Sequence, residues 1–462
     1  MKISKGTKLF ILNFLMFLLC IASTTIIITN NSYDGYELLF TQPLFYSIVF
    51  IIFLNKIITT RNTLFYLVFT AATFIRYVLL PVMIVLTSYY GGRSPIIPKS
   101  ESFTSAIILM NLELLVVSIF ILKDIKKNKV RDNTELKLNE MNSIDGYIIF
   151  IFITILLMMF FPKSLSQVNF IMPSSLNADF QETGLVNFVT YCIIVAKQLL
   201  FIIFLKHFFK KYSKKQSEFW IFLSVLFSLL NISIYFGANR MDIVINAFVS
   251  TLVLNKLYGR AMYKYIVFIA PLVGILFSVV TEGRGYSSVT GNSSSLINFA
   301  DILQTYTGGV YNVAIAVETP EFYPNVKSTS VFLMDIFRSM IGPNILLKNI
   351  NIPTSNVFFN RRLRPNSEIV SQILPMVGQG YIFFGFFFSS ILTVTFLNIQ
   401  FKLEKVLNRT NSLEIFYFVG LSSARFGMLM GNNSMILIND LSMNLFLFLL
   451  VYIFNKYFTF KK

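Results

Sequence analysis

Histidine is almost missing from this chain of 462 residues: His207 is the only one. That excludes a histidine-based metal site, and it excludes a Ser-His or Cys-His nucleophile on the face away from His207. Cysteine is nearly as scarce. Cys20 and Cys192 both fall in long apolar runs, so no disulfide framework is implied. The phosphate-cradling Gly-x-x-x-x-Gly-Lys-[Ser/Thr] loop is absent, which argues against ATP use. Charged residues make up only 13% of the chain, against roughly 25% in soluble domains. No internal repeat emerges, and low-complexity sequence is confined to Ser293-Ser294-Ser295. The first segment has Lys2, Lys5 and Lys8 before an apolar run but no small-residue cleavage site. It reads as a retained first span rather than a signal peptide.

Apolar length is what the chain has in quantity. Hydrophobic residues make up 55% of it and aromatics 16%. Twelve runs approach membrane length, near residues 9–29, 38–58, 64–90, 103–122, 146–161, 186–205, 219–236, 243–258, 265–281, 376–400, 412–430 and 434–455. Backbone in hydrocarbon must satisfy its own hydrogen bonds, so these are helices or a closed barrel. Strict alternation is lacking and the runs are twice strand length. The expected fold is therefore an all-α polytopic membrane protein of about twelve transmembrane helices. Residues 1–281 hold spans 1–9, residues 282–375 form a large loop, and residues 376–462 hold spans 10–12.

Charge asymmetry orients these spans. With the N-terminus in the cytoplasm, the seven inner segments carry 25 of the 39 Lys and Arg, the outer segments 11, and Arg76, Lys197 and Arg425 lie within spans. Basic short inner loops follow the positive-inside rule, so both termini are expected in the cytoplasm and residues 282–375 outside. The net charge of +17 is mostly this signal, plus attraction to anionic membrane lipids. Scattered basic residues with no compact basic domain give no reason to expect nucleic acid binding.

The 94 residues 282–375 are too long for an ordinary connection and too rich in apolar residues for a disordered one. Leu296, Ile297, Ala300 and Leu303 recur at helical spacing around Asp301 and Gln304, as do Phe332, Met334, Ile336 and Phe337 around Asp335. These predict helices lying on the membrane or capping a cavity. Arginines collect at the expected outer boundary: Arg240 in the turn after span 7, Arg284 after span 9, and Arg361, Arg362 and Arg364 before span 10. A planar, permanently charged guanidinium suits bidentate phosphate recognition. Arg240, Arg284, Arg361 and Arg364 are candidate catalytic groups for stabilising an anionic leaving group, with Arg362 and Arg425 as substrate-binding. Glu282 and Asp242 are candidate general bases for an acceptor hydroxyl, with Glu368 next. Tyr286, Tyr306, Tyr311, Tyr323, Phe358 and Phe359 are available to stack on sugars. Within the spans, Arg425 and Asp440 sit at matched depth across a short turn and are expected to pair. Glu113 is expected to neutralise one of Arg76 and Lys197, leaving the other cation to line a cavity.

These features resemble one family. Gly283-Arg284-Gly285, Tyr306-x-Gly308-Gly309 and Gln372-x-x-Pro375-x-x-Gly378-Gln379-Gly380-x-x-x-Phe384-Gly385, with about twelve spans and a late large outer loop, resemble the Wzy-type polymerases of O-antigen and capsular polysaccharide. The resemblance implies a GT-C-like membrane fold without metal or other cofactor, in a bacterial cytoplasmic membrane. It implies transfer of a growing glycan from undecaprenyl diphosphate onto a new lipid-linked repeat unit, and Gln379 joins the substrate-binding candidates. A chain-length regulator and a flippase of the same pathway are the implied partners. Residues 162–187 carry only Lys163 as a cation, a departure from that family's larger second arginine-bearing loop. An O-antigen ligase shares the topology but by resemblance carries an outer histidine, and a lipid-linked oligosaccharide flippase remains the non-enzyme alternative.

Overall fold

The computed structural model describes residues 5–55, 63–92, 94, 96–127, 144–171, 184–237, 240–283, 295–365 and 372–457. Helix dominates, and the expected apolar runs fall largely on helices. In chain order the bundle is built from α1 (Lys5–Asn30), α2 (Thr41–Leu54), α3 (Leu64–Thr87), α4 (Ser100–Lys127), α5 (Asp145–Phe160), α6 (Leu185–Lys215), α7 (Glu218–Ser233), α8 (Arg240–Tyr258) and α9 (Tyr263–Gly283). Six stretches among the described residues are long and apolar enough to cross a membrane: Leu9–Asn30, Leu64–Thr87, Ser100–Lys127, Leu185–Lys215, Met241–Tyr265 and Ser434–Tyr457. The chain is thus an all-α membrane protein in outline. Helices α2, α5 and α7 are apolar but shorter.

Two expectations about the spans change. The run 376–400 is not one helix: α14 (Met376–Phe388) and α15 (Ile391–Leu407) meet at 110°. A Cβ on Gly380 would lie 1.8 Å from the Ser389 carbonyl oxygen, so glycine is what lets the chain double back there. The run 219–236 ends in a strand. β2 (Ile234–Phe236) pairs antiparallel with β1 (Val168–Phe170), Val168 opposite Phe236. Helix α7 stops because Lys197 Nζ captures two carbonyls at its end, those of Asn231 at 2.9 Å and Ile234 at 2.8 Å. A lysine there satisfies acceptors that the helix leaves unpaired.

The loop is folded into the bundle rather than laid over it. It contributes α10 (Ser295–Thr307), α11 (Val310–Phe322), α12 (Thr329–Phe337) and α13 (Ser355–Leu363). Helix α11 is buried along nearly its whole length and packs against α4 and α14. A Cβ on Gly378 would come within 2.5 Å of the Ala316 Cβ, so this glycine permits the α11–α14 contact. Small residues at such crossings fit association in lipid, where close van der Waals packing replaces the hydrophobic drive.

The loop helices turn polar residues inward. In α10 the buried side carries Asp301, Gln304 and Thr307, while Leu296 (59% exposed) and Phe299 (43%) point out. In α12 Asp335 is buried, and Leu333 and Phe337 are outward. The physical reason is that a carboxylate in apolar surroundings needs protein donors. Tyr89 Oη donates to Asp301 at 2.9 Å, and Gln304 Nε2 donates to the Gly91 carbonyl at 2.6 Å.

Three π-helical segments occur among the described residues: Phe50–Leu54, Ile75–Leu79 and Asp440–Phe446. Two of them contain ionised side chains of the interior, Arg76 and Asp440. The last lies within α17 (Ser434–Tyr457), which follows α16 (Leu413–Phe426). Such bulges often mark functional positions in helices.

Candidate functional site

A cavity of about 280 Å³ opens between α6, α8, α16 and α17. It lies at one end of these helices, beside the β1–β2 ribbon and the Gly237 turn, with Gln167 and Phe236 in its wall. Its volume is just below the ~300–1,000 Å³ typical of small-molecule pockets. The lining is strongly polar for an apolar bundle: Lys197 and Gln198 from α6, Asp242 and Asn246 from α8, Arg425 from α16, and Asp440 and Asn444 from α17. Tyr191, Tyr235, Phe236 and Phe418 add aromatic faces.

Arg425 is the centre of the charge arrangement. It lies 2.5 Å from Asp242 Oδ1 and 3.1 Å from Asp440 Oδ1. The matched depth of Arg425 and Asp440 is thus realised as an ion pair, and Asp242 completes it from a third helix. Lys197 is the cation that Glu113 leaves over: Glu113 instead pairs with Arg76 at 3.0 Å, and Thr393 donates to its other oxygen at 2.7 Å. Both members of that pair are buried, Arg76 at 2% and Glu113 at 0% exposure. Lys197, Arg425, Asp242 and Asp440 sum to no formal charge.

The π segment sets how Asp440 is presented. Asn444, four residues on, donates its Nδ2 to Asp440 Oδ1 at 3.1 Å. Asp440 Oδ2 and Asn444 Oδ1 are buried and have no hydrogen-bond partner among the described residues. Unmatched buried acceptors are costly and call for an explanation. Behind the cavity a relay fixes the wall: Asn231 Nδ2 donates to Tyr417 Oη at 2.8 Å, and Asn246 Nδ2 donates to the Asp242 carbonyl at 2.8 Å.

The candidate residues do not converge on one place. Asp242 and Arg425 line the cavity. Arg362 is a correction: its Nη2 donates to Glu318 at 2.6 Å, its guanidinium stacks 3.9 Å over the Phe322 ring, and it is 11% exposed. The other Glu318 oxygen accepts from the Lys99 amide and the Ser102 hydroxyl, so Arg362 helps pin α13 and α11 to the start of α4. Gln379 is a second correction. Its Nε2 donates to Asp335 Oδ2 at 2.7 Å and its Oε1 accepts from the Ser434 amide at 2.8 Å, leaving neither end for a substrate. Arg361 is exposed, with its guanidinium 5.9 Å from the Phe358 ring, and Arg364 caps the end of α13 half-buried. Tyr306 borders a separate small pocket beside Arg76. Tyr311 and Phe359 are buried core and cannot stack on a ligand. Arg284, Tyr286 and Glu368 lie outside the described residues, as do the side chains of Arg240 and Glu282, whose backbones sit in α8 and α9.

Asn444, Asn246 and Gln198 were not among the sequence candidates, and Asp440 was expected only as the partner of Arg425. Apolar flanks hide them, and only the clustering of ionisable residues inside spans points toward them. Among the described residues no group of His, Cys, Asp and Glu is placed to hold a metal ion. No protein family, curated protein or solved structure matches the chain.

Proposed function

We propose that this chain polymerises undecaprenyl-diphosphate-linked oligosaccharide repeat units on the outer face of a bacterial cytoplasmic membrane. In this reading it is a metal-independent, GT-C-like glycosyltransferase with about twelve spans and both termini in the cytoplasm. The growing glycan leaves its diphosphate and joins a sugar hydroxyl of the incoming lipid-linked unit. One observation supports this most: a cavity lined by ionised and amide side chains at one end of an apolar bundle. Carboxylates, amides and aromatic faces are the groups that recognise sugars. Arg361, exposed at the end of α13, is left to meet the diphosphate from outside the cavity.

A second reading is a lipid-linked oligosaccharide flippase. It is favoured by the 110° break between α14 and α15, because interrupted helices are also a transporter feature. Deletion of the gene followed by glycan ladder analysis separates the two. Loss of a polymerase leaves single repeat units attached, whereas loss of a flippase leaves none outside. An unchanged ladder ends both readings.

A further inference from the structure

We infer that the cavity holds an uncharged, hydroxyl-bearing sugar ring and excludes the diphosphate. This rests on reading the cavity as a glycan site. The argument concerns which hydrogen-bonding capacity the wall has left over. The charge of Arg425 is balanced by two carboxylates, Asp242 and Asp440, although its Nε keeps an unmatched N–H among the described residues. Lys197 spends two of its three N–H donors on the carbonyls of Asn231 and Ile234. A diphosphate is an acceptor with negative charge, and it would meet a cavity of no net charge whose cations are engaged.

The unmatched atoms ask for the opposite. Asp440 Oδ2 is an acceptor whatever its surroundings, because an ionised carboxylate has nothing to donate. Asn444 Oδ1 is fixed as an acceptor because the other end of that amide donates to a carboxylate. Both belong to the one π segment, four residues apart, so the bulge brings two open acceptors to the same wall. A ligand that satisfies them brings donors. Sugar hydroxyls do, and they can also accept from the remaining Lys197 N–H. Tyr191, Tyr235 and Phe418 supply ring faces for the C–H surface of a pyranose. A carboxylate aimed at a hydroxyl is also placed to take its proton as that oxygen attacks, and the hydroxyl-bearing partner in glycan transfer is the acceptor.

The test uses the full chain purified in detergent, with thermal unfolding as the readout. The probes are a panel of neutral hexoses and N-acetylhexosamines at high millimolar concentration, and inorganic pyrophosphate at matched ionic strength. Protection by at least one neutral sugar and none by pyrophosphate is expected. In Asp440→Asn, which turns the open acceptor into a donor, the half-protecting sugar concentration should rise roughly tenfold or more, about one hydrogen bond to a charged group. Asn444→Leu keeps both carboxylates on Arg425 and should show the same loss, which covers the case in which Asp440→Asn does not fold. Protection by pyrophosphate that depends on Lys197, or protection by no neutral sugar, overturns the inference. So does sugar protection unchanged in Asn444→Leu. An unchanged ladder on deletion with sugar protection intact would instead remove the polymerase reading and leave the cavity assignment standing.

Discussion

The cavity wall and the folded loop both bury carboxylates, but they treat them differently. In the loop the carboxylate oxygens of Asp335 and Glu318 are matched. Asp335 accepts from the Ser355 amide at 2.9 Å, from the Ser355 hydroxyl and from Gln379, and Glu318 accepts from Lys99, Ser102 and Arg362. In the cavity Asp440 and Asn444 keep one open acceptor each. A buried charge with a complete set of partners holds helices together. A buried charge with capacity to spare is organised for something that is not part of the chain.

That contrast is open to attack at several points, ranked here by effect on stability. The strongest is the buried Arg76–Glu113 pair. Glu113→Leu leaves Arg76 buried without its carboxylate and should cost about 3–5 kcal/mol. Loss of the monodisperse peak in detergent size-exclusion chromatography reads this out, and Arg76→Met in the same chain should restore part of it. Next is Asp335, whose carboxyl burial pushes up to about 6 from an ordinary 3.8. A folded-state pKa above the unfolded value favours the folded state at low pH, and that contribution disappears as pH rises through about 4 to 6. The melting midpoint should therefore fall over that window, by a contribution of at most roughly 3 kcal/mol, and Asp335→Asn should flatten the slope. A midpoint independent of pH between 4 and 7 in the parent chain would contradict it.

Asp440→Asn should be gentler on the fold, about 1 kcal/mol, since Arg425 keeps Asp242. Its glycan ladder should nonetheless collapse toward single repeat units. A stable variant with a normal ladder would erase the distinction between the two regions. The smallest effect belongs to Lys99 and Glu321, which pair at 2.5 Å but are 57% and 58% exposed. Lys99→Met should leave the melting midpoint essentially unchanged, as loss of an exposed ion pair does. A larger drop would show that partner matching matters at the surface as well.

Much of the interior was legible in the residue order. Ionisable residues in apolar runs are rare enough that Arg76, Glu113, Lys197, Arg425 and Asp440 stand out, and depth along each run indicates which can meet. What stayed hidden depends on rotation about helix axes. Nothing local shows that residues 440–446 widen into a π segment, or that Lys197 ends α7 by taking its carbonyls. The loop helices were legible in part for a related reason. Apolar periodicity locates α10 and α12, but which side turns inward depends on whether water or lipid lies outside, and Asp301 and Asp335 had to find donors within the protein. The rim arginines were visible as a group, yet Glu318, the partner of Arg362, sits 44 positions before it, with no local sign of the pairing.

The widened turn at Asp440–Phe446 makes the site sensitive to the count of residues as well as to their kind. Removing one residue between Asp440 and Asn444 would let ordinary helical winding resume locally and would change where Asn444 stands relative to Asp440. Asn444 would leave the wall, although no contacting side chain had been replaced. Gain or loss of a single codon there is thus a route by which a related chain could change what it recognises.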